Sequence, residues 1–184
     1  MNKNQIGLVV ATVFTCLANP AFAAYLGVGM GDTAADIANS SGQVINSSST
    51  SFRLLAGSQI SQYLSVEAEY IDLGKFTNDT ASIAAKGLGI SGVIAAPMAD
   101  SFSIFGKIGL ARIESTATAN QGSVLTGLAS DTRIGLTLGY GVQIEMAPNA
   151  IVRISWDRYK CSALVGPFAD RVDVKSAAAL IFKF

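Results

Sequence analysis

Residues 133–145 alternate without a break. Ile134, Leu136, Leu138, Tyr140, Val142 and Ile144 interleave with Arg133, Gly135, Thr137, Gly139, Gly141, Gln143 and Glu145. A period of two puts each set on one face of an extended strand. Wound as a helix, the same run would scatter its apolar residues all round and bury three glycines, which rules the helix out. The pattern recurs in Leu64, Val66, Ala68 and Tyr70 against Ser65, Glu67 and Glu69. It recurs again in Val152, Ile154 and Trp156 against Arg153, Ser155 and Asp157.

Extended along the chain, the alternation predicts eight strands, at about 24–31, 50–58, 63–72, 83–96, 101–113, 132–146, 150–159 and 172–184. The connections alternate in length. Short ones fall near Gln59–Gln62, Pro97–Asp100 and Ala147–Asn149, and long ones at 32–49, 73–82, 114–131 and 160–171. Pro97 and Pro148 sit in short turns, where a missing N–H does no harm. Short-long alternation is what an up-and-down barrel produces when one rim faces the periplasm and the other faces outward. The stretch Asn39 to Ser51 is rich in Ser, Asn and Thr and reads as a polar external loop.

The first 23 residues read as a secretion signal rather than as part of the fold. Lys3 supplies the positive start, Ile6 to Leu17 an uncharged apolar run, and Ala21-Phe22-Ala23 a small-residue cleavage pattern, so cleavage is expected after Ala23. A single anchor helix is the alternative, but the run is short against the ~20 residues a span needs. Cys16 follows Thr15 inside the apolar run, which argues against lipidation. The barrel is then residues 24–184, one domain. Cys161 is its lone cysteine, so no internal disulfide is available, and it reads as an incidental loop residue.

Half of the sequence is hydrophobic and 14% is charged. After residue 24 no stretch could cross a bilayer as a helix. An exported apolar chain of this kind points to strands facing lipid. Without Lys3 there are 12 basic and 13 acidic residues, a net charge of about −1 that argues against nucleic acid as a partner.

Residue size decides which face looks inward. One face carries Leu, Ile, Val, Phe, Tyr and Trp. The other mixes small residues with charges, and an eight-stranded barrel has an interior just wide enough for side chains. Gly87, Gly89, Gly109, Gly135, Gly139 and Gly141 on that second face would relieve crowding. A charge at mid-bilayer costs ~2–4 kcal/mol, so the charges belong inside. Arg53, Glu67, Glu69, Lys107, Arg133, Glu145, Arg153 and Lys183 are expected to form a paired lumen network; Lys175 shares the face. Asp157 and Asp173 could join the network or meet solvent at a rim. Tyr63, Phe102 and Phe184 are expected in the interface girdle at the short-turn rim, with Tyr70, Trp156 and Tyr159 toward the long-loop rim.

These residues resemble the OmpA-type transmembrane domain. Val66-Glu67-Ala68-Glu69-Tyr70-Ile71-Asp72-Leu73-Gly74 is similar to its third strand, Phe102-Ser103-Ile104-Phe105-Gly106-Lys107-Ile108-Gly109-Leu110-Ala111 to its fifth, and Ile151-Val152-Arg153-Ile154-Ser155-Trp156-Asp157-Arg158-Tyr159 to its seventh. In size the chain resembles the small OmpX-like barrels, without the peptidoglycan-binding domain of full-length OmpA. The resemblance implies an all-β, eight-stranded antiparallel transmembrane barrel in the bacterial outer membrane, in contact with lipid and lipopolysaccharide. Leu180, Phe182 and Phe184 resemble the C-terminal signal read by the barrel-assembly machinery. In such families the external loops meet host or environment, so a cell-surface ligand is the expected partner.

The sequence has no histidine. General acid–base work at neutral pH most often falls to His, and a serine nucleophile usually depends on one. No metal-ligand cluster or phosphate-binding glycine motif is visible, so neither cofactor nor metal is expected; Gly27-Val28-Gly29-Met30-Gly31 lies in a predicted strand. Glu67 and Glu69 could serve as a carboxylate pair but read better as ion-pair partners. The expectation is a non-enzymatic surface-interaction barrel acting through the long loops 32–49 and 114–131. The alternatives are a narrow porin-like ion channel and a soluble lipocalin-like barrel, which the glycine-rich charged face disfavours.

Overall fold

The computed structural model describes residues 23–38, 44–77, 81–119, 129–160 and 168–184. The expected cleavage site lies mostly outside this set, and Cys161 wholly so. The strands are β1 (Ala23–Ala38), β2 (Val44–Gln59), β3 (Leu64–Thr77), β4 (Ala81–Ala99), β5 (Phe102–Ala119), β6 (Ala129–Ala147), β7 (Ala150–Lys160) and β8 (Phe168–Lys183). Each pairs antiparallel with its sequence neighbours, and β1 pairs with β8 to close the barrel. Closure leaves no sheet edge with unpaired backbone groups, which a strand in hydrocarbon requires. Among the described residues no helix is long and apolar enough to cross a membrane.

Every predicted strand is present, and the strands are longer than the alternation indicated. The extra length lies at the long-connection end: β1 runs to Ala38 rather than residue 31, β2 begins at Val44 rather than 50, and β5 reaches Ala119 rather than 113. Much of the expected loop 32–49, including 44–49, is therefore strand. Ladder bonds satisfy the backbone there, so Ser and Thr, which fit a strand bathed in water on its outer face, extend the sheet without an apolar stripe.

About 9–11 residues suffice for a tilted strand to cross the hydrocarbon. At 16 to 19 residues, β1, β2, β4, β5, β6 and β8 exceed this. The side chains record where the crossing ends. Low on β5, Ile104, Ile108 and Leu110 point outward and exposed, while Lys107 points inward. Past Leu110 the polarity exchanges: Arg112 is exposed outside and Ile113 is buried inside. β3 switches after Tyr70, with Asp72 outside and Ile71 and Leu73 inside. β4 switches past Leu88, with Lys86 outside and Ala85 and Ile83 inside. At Asp72/Gly74 a bulge shifts the register, and Gly74 takes a φ of 83°, a conformation that favours glycine.

The lumen is consequently layered. Tyr25, Leu55, Ile151, Ala179 and Ile181 pack in the short-turn half. Charged residues occupy the middle. Ile71, Leu73, Phe76, Ile83, Ile113, Tyr159 and Val174 pack with small alanines in the long-connection half. Both apolar layers correct the expectation that the large aliphatic residues all face lipid. Above the membrane the outer surface meets water, so the favourable place for an aliphatic side chain is the interior.

Candidate functional site: the lumen network and the outer wall

Six charged side chains from four strands meet in the middle layer: Arg53 from β2, Glu67 and Glu69 from β3, Lys107 from β5, and Arg153 and Asp157 from β7, all buried. The inward parity of each strand aims them at one another. Arg53 Nη1 lies 2.8 Å from Asp157 Oδ2, and Lys107 Nζ lies 2.9 Å from Asp157 Oδ1 and 3.0 Å from Glu69 Oε2. Arg153 Nη1 donates to Glu67 Oε1 at 2.6 Å. Three cations thus face three carboxylates, a neutral set that meets the pairing requirement for buried charge.

Neutral groups add to it. Tyr25 Oη donates to Glu67 Oε1 at 2.7 Å, and Tyr159 Oη to Glu69 Oε1 at 2.8 Å. Ser155 Oγ donates to Asp157 Oδ2 at 2.8 Å. With its amide oxygen turned toward Arg153, Gln143 accepts from Nε at 3.2 Å and Nη2 at 3.0 Å. The Arg153 guanidinium also stacks over Phe105, 4.7 Å from the ring centre. Gly139 makes room for the cluster, since a Cβ there would collide with Asp157 Oδ1 and the Lys107 side chain.

The structure brings together five of the eight residues expected in this network: Arg53, Glu67, Glu69, Lys107 and Arg153. The other three sit elsewhere. Glu145 and Lys183 share the inward parity but form a separate, half-exposed ion pair, 2.5 Å long, at the short-turn rim. Arg133 lies opposite Ile113 at the long-connection end and is exposed there. All three have the inward parity, but each stands near a strand end and not in mid-lumen. Asp157, left between lumen and rim by the sequence, is 3% exposed and central. Asp173 points outward and accepts from Arg158 Nε at 2.7 Å on the outer face. The side chain of Lys175 is outside the described set.

The aromatic expectations divide likewise. Phe102 takes the outward parity at the short-turn rim and Tyr63 is exposed in the β2–β3 turn. Trp156 faces outward and stacks on Tyr140, ring centres 5.7 Å apart, a partner the sequence reading passed over. Tyr70 faces outward within the wall. Tyr159 is the correction: it is 1% exposed and faces the lumen, because Asp157 and Tyr159 share one strand face and only an interior position gives its hydroxyl a buried carboxylate. Tyr25, equally part of the network, had no flanking charge in sequence to reveal it. Leu180, Phe182 and Phe184 all lie exposed on the outward face of β8 and its end.

Glu67 and Glu69, the one carboxylate pair that could have suggested hydrolysis, are each held by a cation and a tyrosine hydroxyl. Among the described residues no cluster of metal-ligating side chains is present.

Residues 8–177 match the family model of the outer membrane protein beta-barrel domain. No functionally curated protein matches the sequence. Among solved structures, Neisserial surface protein A is similar over 88% of this chain and 97% of its own, with 18% identity and a TM-score of 0.71. Ail, the attachment invasion locus protein of Yersinia pestis, solved with the heparin analogue sucrose octasulfate, is similar over 89% and 99%, with 12% identity and a TM-score of 0.58. OprG of Pseudomonas aeruginosa is similar over 89% and 97%, with 15% identity and a TM-score of 0.54. At these identities the likeness is one of fold.

Proposed function

Since the chain belongs to the outer membrane protein beta-barrel domain family, we propose that it is a non-enzymatic surface barrel whose interactions are made by the part standing beyond the bilayer. The observation that carries this reading is the exchange of polarity past Tyr70, Leu88 and Leu110. Beyond it, β3, β4 and β5 have a polar outer face and an apolar inner one, supported by the packed layer around Ile71, Leu73 and Ile113. A barrel that only had to span hydrocarbon has no use for such a rim. Built on its own core, the rim holds the external connections at a fixed height above the lipid, a rigid mount for contact with host or environment. Ail, a similar fold named the attachment invasion locus protein, supports the reading by analogy.

The test trims only 39–43 and 120–128, because deleting 32–49 and 114–131 would remove strand. Cells displaying the trimmed barrel should keep it folded, with heat-modifiable migration in gels, and lose adhesion to cell monolayers. Undiminished adhesion would count against the proposal.

The channel reading is weaker. The neutral ion cluster and two apolar layers fill the described lumen, and an ion crossing it would have to shed water among Ile71, Leu73 and Ile113. The expected outcome in planar bilayers is a baseline without conductance steps; regular steps would restore the channel.

A further inference from the structure

The outer wall carries a feature that neither the lumen network nor the rim uses. A shallow apolar groove of about 750 Å³ runs across the strands, from Leu26 and Phe182, over Ala56 and Ala68, to Leu110 and Arg112. The dip has a simple origin. Ala56 and Ala68 are directly paired across β2 and β3 and both point outward, while Leu54 and Tyr70 stand higher beside them. From β1 to β5 the groove crosses four strand spacings, about 19 Å at ~4.8 Å each.

Its charged end lies at a definite height. Arg112 is ten residues past Phe102 on β5. With a rise of ~3.3 Å per residue and a tilt of 35–45°, that is about 23–27 Å along the membrane normal, against an apolar band of ~25 Å. Arg112 therefore meets the outer edge of the hydrocarbon, where headgroup phosphates lie. Its cross-strand neighbours are Leu88 and Ile134, both apolar. The next outward cation on β4, Lys86, has Asp72 and Glu114 directly opposite in register, and two carboxylates there repel an anion, whereas Arg112 has none directly opposite, Glu114 standing two residues further out on its strand. The phosphate position is thus Arg112, whose planar fork matches phosphate oxygens.

We infer that this groove is a specific lipid site. It holds one acyl chain of a lipopolysaccharide molecule from the external leaflet across Ala56 and Ala68, with a lipid A phosphate on the Arg112 guanidinium. The choice of lipopolysaccharide rests on the height: Arg112 is at the long-connection edge of the apolar band, the external leaflet of an outer membrane. The short-turn edge, where a phospholipid of the inner leaflet would place its phosphate, is the far side of the groove, ending on Leu26 and Phe182.

Native mass spectrometry of the full barrel, extracted in mild detergent from a Gram-negative outer membrane, tests this directly. Wild type should retain lipid A at about one per barrel. Arg112→Gln should retain about tenfold less, as expected for loss of one charge-assisted contact. The groove-filling pair Ala56→Phe with Ala68→Phe should also lose it. Ile154→Phe, outward but outside the groove, should not. Heat-modifiable migration establishes that each variant is folded, and Arg112→Lys separates charge from fork geometry with partial retention. Equal retention in all variants would overturn the site, as would a wild type carrying no lipid A or carrying phospholipid in its place.

Discussion

The barrel obeys two opposite rules along the same strands. In the membrane zone the outside is apolar and the inside holds the charged layer beside a small apolar one: Ile108 and Leu110 face lipid while Lys107 pairs with Glu69 and Asp157. Beyond it, Asp72, Lys86 and Arg112 face out while Ile71, Leu73 and Ile113 are buried. Across this boundary on β3 and β5 the alternation continues; only its meaning changes, because the solvent outside the wall changes from hydrocarbon to water. Apolar side chains go where water is not, and in a barrel this narrow that is the outer wall in one zone and the lumen in the other.

The contrast is most sharply tested by breaking the ionic layer. Lys107→Met leaves Glu69 and Asp157 without their shared cation, and removing one partner from a buried network costs ~3–5 kcal/mol. Urea unfolding followed by gel migration should show a loss of that size; a change under 1 kcal/mol would mean the layer is hydrated rather than dry. The outer face should respond oppositely in the two zones. Ile108→Lys places a charge against hydrocarbon at ~2–4 kcal/mol, whereas Thr118→Lys, on the exposed extension of the same strand, should stay within ~0.5 kcal/mol. Similar losses at both positions would place Thr118 in lipid and erase the boundary.

Two smaller effects sharpen the picture. Ile113→Val removes one methyl group from the outer core and should cost ~0.5–1.5 kcal/mol. An effect near zero would show a loosely packed rim and weaken its role as a mount. Trp156→Leu removes the stack on Tyr140, worth ~0.5–1.5 kcal/mol. The readout is a shift in unfolding midpoint that disappears when Tyr140→Leu is already present.

Eight strands, their order and the inward parity of Arg53, Glu67, Glu69, Lys107 and Arg153 were legible because parity is a local property and a charged residue in a lipid-facing wall is self-evident. Height is a separate property. Parity alone does not give it; Glu145 stands two residues from the 147–149 turn and Lys183 next to the last residue, which puts both at the short-turn rim and away from the central cluster. Strand ends were underestimated for a related reason. Past the lipid edge the Ser-rich run of β2 pairs with β1 through its backbone, a signal that residue types do not carry. Tyr159 misled because tyrosine suits an interface as well as a hydrogen-bonded interior, and its partner, Glu69, is ninety residues away.

The ionic layer has a consequence for how the barrel is put together. Arg53, Glu67, Glu69, Lys107, Arg153 and Asp157 come from β2, β3, β5 and β7, and each ion pair joins strands that are not neighbours in sequence, so they can all be paired only when four strands have the correct alignment. A one-residue slip of β3 against β2 would turn Glu67 and Glu69 toward hydrocarbon and Val66 and Ala68 toward stranded cations. The interior thus proofreads the wall: a misaligned sheet is rejected by its own charges, each displaced carboxylate adding to the error signal.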